Sequence, residues 1–92
     1  MERCVRLGRV VATPGALAAL ETNHQAASEF LNRHAHADWG DALDEEDRAA
    51  NDEALRIDER LLSAYYLRNG TKLWIITEWD RSVSTVLLPS DY

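Results

Sequence analysis

The chain predicts an α+β fold, with a helical first half and an antiparallel β-meander in the second. Two observations carry this reading. From Ala27 to His34 and from Ala50 to Leu61 apolar residues recur at the three- and four-residue spacing of a helix with one buried face. Beyond Leu61 they gather in short blocks rich in Tyr, Trp, Ile and Val, and Asn69-Gly70 separates two of these blocks. Asn-Gly marks a hairpin because both residues tolerate φ > 0. At 92 residues the chain is short for a domain, so one domain over residues 1–92 is expected.

Val5 to Ala12 reads as a strand, with Gly8 weakening it or marking a bulge. Thr13-Pro14-Gly15 opens a helix, Thr13 as N-cap and Pro14 at the first helical position, where its missing N–H costs nothing. Asn23 is suited to end it. A second helix is expected over Gln25 to His34, where Ala27, Phe30, Leu31 and His34 form one stripe. His36 to Ala42 reads as a loop anchored on the core by Trp39. Asp44 caps a third helix, and Asp47 three residues on nearly completes a capping box. Ala50, Ala54, Ile57 and Leu61 would form its buried face. Glu45, Arg48, Asp52, Arg56 and Glu59 would lie opposite, with Arg48–Asp52 and Asp52–Arg56 at i,i+4 spacing.

Leu61 to Leu67 and Thr71 to Glu78 then make the hairpin, and a turn at Asp80-Arg81 leads to a last strand, Val83 to Leu88, stopped by Pro89. The meander has three strands, or four if the N-terminal strand joins it. With two-residue turns throughout, Leu62, Ala64, Tyr66, Leu73, Ile75, Val86 and Leu88 share one face. Ser63, Tyr65, Leu67, Trp74, Ile76, Thr85 and Leu87 share the other. Both faces are apolar, so the second should be covered by the N-terminal segment, a second copy or a partner. The expected core is Phe30, Leu31, Ile57, Leu61, Leu73, Trp74, Ile75 and Ile76.

One cysteine, Cys4, cannot form an internal disulfide, and Met1-Glu2-Arg3 precedes no apolar run of signal-peptide length. These features lead us to expect a cytoplasmic protein. The formal charge of −6 is concentrated. Asp38, Asp41, Asp44, Glu45, Glu46, Asp47, Asp52, Glu53, Asp58 and Glu59 face only Arg48 and Arg56 within one segment. Ten acids less two bases give −8 there, leaving +2 for the rest of the chain.

Candidate chemistry is sparse. His34-Ala35-His36-Ala37-Asp38 resembles the opening of a His-x-His-x-Asp-His metal motif, but Trp39 stands where the last His is needed, so no metal is expected. His34, Glu78, Asp80 and Arg81 would make a nuclease-like set if the end of the second helix lay over the second turn. The overall acidity argues against catalysis on nucleic acid, and no catalytic residue and no cofactor is assigned. Arg3, Arg6 and Arg9 are a thin basic patch. Trp74, Tyr65, Tyr66 and Trp79 read as core or cover of the sheet rather than stacking platforms. The acidic segment is the strongest lead. As one helix from Asp44 to Glu59 it would carry a net −6 over about 22 Å, close to half the charge density of B-DNA.

Several separated motifs carry a family resemblance: Val11-Ala12-Thr13-Pro14-Gly15-Ala16-Leu17, Arg33-His34, Asp38-Trp39-Gly40-Asp41, Leu61-Leu62-Ser63-Ala64-Tyr65, Trp74-Ile75-Ile76-Thr77-Glu78, Asp80-Arg81-Ser82 and Leu87-Leu88-Pro89. Together they resemble a family of small bacterial proteins of plasmids, integrated elements and phages, often labelled plasmid-related or type I restriction subunits. Ala37 departs from its pattern, which usually has Gly before Asp-Trp-Gly. The resemblance implies a mobile-element setting, and small acidic proteins in that setting are similar to anti-CRISPR and anti-restriction inhibitors that imitate DNA. The expected function is therefore inhibition of a host defence complex, a type I CRISPR surveillance complex above all, without direct nucleic-acid or membrane binding. Its binding residues would be Asp41, Asp44, Glu45, Glu46, Asp52, Glu53 and Glu59. The alternatives are a small nucleic-acid-processing enzyme or toxin, and an accessory protein that forms a homodimer through the second sheet face.

Overall fold

A computed structural model describes residues 4–92. Its elements are β1 (Arg9–Ala12), α1 (Pro14–Thr22), α2 (Ala27–Ala35), α3 (Glu45–Arg56), β2 (Leu61–Tyr66), β3 (Lys72–Thr77), β4 (Val83–Leu87) and a closing 3-10 turn (Pro89–Asp91). The α+β class holds, with three helices and a four-stranded sheet of order β1-β4-β3-β2. The sheet is mixed rather than wholly antiparallel: β1 runs parallel to β4, Arg9 opposite Val83 and Ala12 opposite Val86. The first strand is also shorter than its apolar alternation suggests. It begins only after Gly8, whose φ is +65°, and ahead of it Val5 donates its N–H to the Ala35 carbonyl instead of to a strand.

α1 and α3 start where their caps predict. Thr13 accepts the Ala16 N–H through its hydroxyl, and Asp44 accepts the Asp47 N–H at 2.8 Å. α1 ends at Asn23, which donates its side-chain amide to the Ala19 carbonyl. α2 begins two residues later than expected, and its stripe is anchored by the buried Phe30 and His34. The buried face of α3 differs from the expected one. Asn51 and Ala54 are buried, whereas Ala50 is exposed and Ile57, at the C-cap, is 43% exposed. The helix stops at Arg56, so Leu61 belongs to β2.

The hairpin register also differs from the two-residue-turn reading. The Gly70 N–H bonds the Leu67 carbonyl, and the Leu67 N–H bonds the Thr71 carbonyl. This is a three-residue loop, a turn followed by a left-handed glycine at φ +87°. One extra loop residue shifts β2 by one and reverses its faces. Leu61, Ser63 and Tyr65 therefore share the inner face with Leu73, Ile75 and Thr77, and Leu62, Ala64 and Tyr66 turn outward with Trp74 and Ile76. The β3–β4 register, Ile75 opposite Val86 and Trp74 opposite Leu87, is the expected one.

The inner face packs against α1 and α2, with Ala16, Leu20, Phe30, Tyr65, Leu73, Ile75 and Val86 in one buried cluster. Phe30 and Tyr65 meet at 5.3 Å between ring centroids. A second cluster, around Val5, Trp39, Leu43, Ala54, Leu61 and Ala64, joins α3 and the loop before it to β2. These two elements also close the open edge of β2. The Asn51 side chain exchanges hydrogen bonds with both backbone groups of Leu62, and Ala64 bonds the Trp39 carbonyl and the Ala42 N–H. An edge covered in this way cannot template another strand. The far side of the sheet is lined by Leu62, Trp74 and Ile76 and partly roofed by Tyr92, whose hydroxyl accepts from Arg60.

Candidate functional site

The acidic surface is built on α3 and the loop that leads into it. Glu45, Glu46 and Asp47 fill the first turn and Arg56 the last, so each charge opposes the helix dipole at its own end. The preceding loop is held by Asp38. Arg33 donates to it at 2.7 Å, Gly40 donates its N–H at 3.2 Å, and the Tyr65 hydroxyl donates to its carbonyl at 2.6 Å. The hydrogen bond from Arg33 holds the Asp38 carboxyl below the usual carboxylate range. Gly40 sits at φ +93° so close to β2 that a Cβ would lie 2.0 Å from the Ala64 carbonyl oxygen. Ala37 also takes a left-handed backbone, φ +63°.

The seven acidic positions do not form one surface. Asp52 turns toward the loop and accepts the Trp39 indole N–H at 3.0 Å, and Arg48 turns the same way and donates to the Gly40 carbonyl at 3.0 Å. Asp41, Asp52 and Arg48 line a shallow cleft of about 270 Å³ between loop and helix. Asp44 is occupied as the cap. Glu53 pairs with Arg56 on the same helix, and that hydrogen bond lowers its carboxyl pKa. Glu45 and Glu46 point to solvent with no side-chain partner among the described residues. Glu59 lies beyond the helix, in the link to β2, and its carbonyl accepts from Arg81.

The charge density is lower than a single helix from Asp44 to Glu59 would give. Within α3 five acids and two arginines leave −3 over about 18 Å, where B-DNA has about ten charges.

The nuclease-like set does not assemble. His34 is fully buried, between Ser63 at 2.5 Å from Nδ1 and Thr77 at 2.8 Å from Nε2. Thr77 meets Ser84 at 2.7 Å, and the Ser84 hydroxyl donates to the Leu7 carbonyl at 2.7 Å. That last bond fixes the protons from Ser84 back to Nε2: Thr77 donates to Ser84, and His34 Nε2–H donates to Thr77. In the neutral ring Nδ1 then accepts from Ser63. The imidazole is neutral, and burial pushes its pKa down to about 4, helped by the charge of Arg81. Arg81 itself is occupied by the carbonyls of Ala54, Glu59, Glu78 and Trp79. Asp80 accepts from the Ser82 hydroxyl and N–H, and Glu78 faces Arg60 at 3.6 Å. The described residues contain no group of three or more His, Cys, Asp or Glu side chains placed to hold a metal ion. Of the arginine patch, Arg3 lies outside the described residues, and Arg6 and Arg9 are exposed.

Sequence reasoning misses three features. Asn51 reads as a polar residue on a polar helix, yet it closes the sheet edge. Ser63, Thr77 and Ser84 alternate with apolar neighbours on their strands, and only their shared face shows that they meet His34. Trp79 reads as one of the aromatics of the sheet, but it stands on the β3–β4 turn and is 65% exposed, and Tyr66 is 50% exposed. The placement of Trp79 directly before Asp80-Arg81 is the available signal. No described helix is long and apolar enough to cross a membrane. Comparison with protein-family models, with curated proteins and with solved structures gave no match to this chain.

Proposed function

We propose that this protein is a mobile-element inhibitor of a host defence complex. It acts by placing the exposed carboxylates of α3 in a basic groove that otherwise holds nucleic acid, and a type I CRISPR surveillance complex is the first target to test. The observation that carries the reading is the exposure of Glu45 and Glu46, and of Glu53 in its surface pair with Arg56, on a capped helix whose opposite side is committed to the sheet. Fixed charge on a rigid element suits recognition by a groove of opposite sign, because little ordering is needed on binding. The resemblance to small proteins of plasmids and phages supports the same setting. The low charge density of the helix favours imitation of a short stretch of backbone over imitation of a long duplex.

The test is a triple variant, Glu45→Lys, Glu46→Lys and Glu53→Lys, which leaves the Asp44 cap and the Asp52–Trp39 bond in place. With an unchanged circular dichroism spectrum it should inhibit DNA binding by a purified type I surveillance complex at least about tenfold less well than the wild type. Wild-type inhibition should weaken as salt rises, since screening shortens the reach of these charges to about 8 Å at physiological ionic strength. Wild-type potency in the variant, together with indifference to salt, contradicts the reading.

The far side of the sheet favours a second reading. Leu62, Trp74 and Ile76 line an apolar groove of about 340 Å³ beside Arg60 and Tyr92. If this groove pairs two copies, Trp74→Glu abolishes a dimer detected by light scattering, and a wild type that is monomeric at high concentration eliminates it.

A further inference from the structure

Trp79 differs from the other two tryptophans. Trp39 is buried, edge-on to His34 at 5.7 Å, with its indole N–H bonded to Asp52. Trp74 is half-buried and meets Tyr92 at 6.0 Å. Trp79 is 65% exposed and makes no ring contact, cation contact or indole hydrogen bond among the described residues. Burying an indole on folding is strongly favourable, so a solvated one leaves a large apolar area unused.

The turn that carries it is heavily braced. One nitrogen of Arg81 donates to the carbonyls of Glu59 at 2.6 Å, Glu78 at 3.1 Å and Trp79 at 3.3 Å, and the other reaches the Ala54 carbonyl at 3.3 Å. The guanidinium thus ties the turn to the C-terminal end of α3. Arg81 and, in the facing link, Asp58 hold left-handed backbones at φ +60° and +55°, a strained state for residues with a Cβ. The backbone that bears Trp79 is thereby held at the C-terminal end of the acidic helix. It shares a cleft of about 410 Å³ with Arg6, Asp58, Asp80 and Arg81. The formal charges there are two of each sign; the Arg81 donors are taken up by carbonyls and Asp80 by Ser82, which leaves the exposed Arg6 and Asp58 as the charged side chains open to a partner.

We infer that Trp79 is the aromatic anchor of the partner surface, and that it stacks on an arginine of the basic protein that α3 engages. The inference rests on the acidic-groove reading above and adds the side chain that the groove must supply. A guanidinium is the cation that stacks best on an indole face, because it is planar and weakly hydrated. Asp58 stands in the same cleft to take its charge. Lysine, a compact and strongly hydrated point charge, gains less from the ring.

The test measures affinity for two probes, nona-arginine and nona-lysine, by calorimetry at low salt. Wild type should prefer the arginine peptide. Trp79→Ala should weaken nona-arginine binding by about two- to fivefold and leave nona-lysine unchanged. Trp79→Leu, which keeps apolar area without a π face, should behave like the alanine variant, and Trp79→Phe should retain part of the preference. The Glu45→Lys, Glu46→Lys, Glu53→Lys variant should weaken both peptides alike. Equal binding of both peptides, or a Trp79→Ala variant with unchanged arginine preference, overturns the anchor while the acidic reading stands. Failure of the wild type to bind either peptide overturns both.

Discussion

His34 carries the clearest pH signature of any residue in the fold. Its ring is kept neutral by burial and by the nearby charge of Arg81, with Nε2–H donating to Thr77 and Nδ1 left to accept from Ser63. The folded pKa, about 4, lies below the ordinary 6.5, so between these values the unfolded chain binds more protons. Stability is therefore complete above about pH 6.5 and falls as pH drops toward 4, by about 3 kcal/mol in all. Denaturant unfolding from pH 7 to pH 4 should show this loss. His34→Gln should be less stable at pH 7 and should lack this component. Little of this is legible in the sequence. The helical spacing places His34 on the buried stripe of α2, but the hydroxyls that claim it lie 29 and 43 residues away.

Capping is the most legible information at the level of elements, because it is local. Thr13, Pro14, Asn23 and Asp44 each mark the boundary that their chemistry predicts. Register is less legible, because Asn69-Gly70 suits both two- and three-residue loops and only the packed sheet chooses between them. The two turn glycines should respond differently to alanine. Gly70 has open space around it, so Gly70→Ala costs only the left-handed backbone, about 1–2 kcal/mol. Gly40→Ala adds a collision with the Ala64 carbonyl and should displace the loop that shields β2, unfolding the protein or costing several times as much. Equal melting temperatures for the two variants would show that the loop yields freely. The buried face of α3 departs from its sequence pattern for a related reason. Four apolar residues at helical spacing suggest one face, but the helix ends before it can use Ile57, and Asn51 is drawn inward by the backbone of Leu62.

Two halves of the molecule are held on one sheet, and they divide its labour. α1 and α2 cover the inner face, where Ile75 is fully buried. Ile75→Ala should cost about 2–5 kcal/mol, a large share of the stability of a domain this small, and a chemical denaturation midpoint near wild type would mean that the inner face is loosely packed. α3 covers the β2 edge and carries the acidic surface. Composition alone makes that surface legible, but not how its charges are allotted. Asp44 is spent on the cap, Asp52 on Trp39 and Glu53 on Arg56, whereas Glu45 and Glu46 face solvent. Spacing places charges on a helix, but only the neighbouring loop determines which of them are already engaged.

The parallel pairing of β1 with β4 has a consequence for how the chain is made. During synthesis β1 emerges before the three helices and the other strands, and its partner β4 after them, so β1 must wait for all of these elements before it has a neighbour. The same delay applies to the bond from Ser84 to the Leu7 carbonyl, 77 residues apart, and to that from Thr13 to Asp91, 78 residues apart. Contacts of such long sequence separation form late and slow the folding of small domains. The β2–β3 hairpin and the helices can form locally, but the sheet cannot close around His34 until the fourth strand arrives. A nascent chain halted before Val83 should therefore remain open to protease around β1, and release of β4 should close the segments around both strands at once.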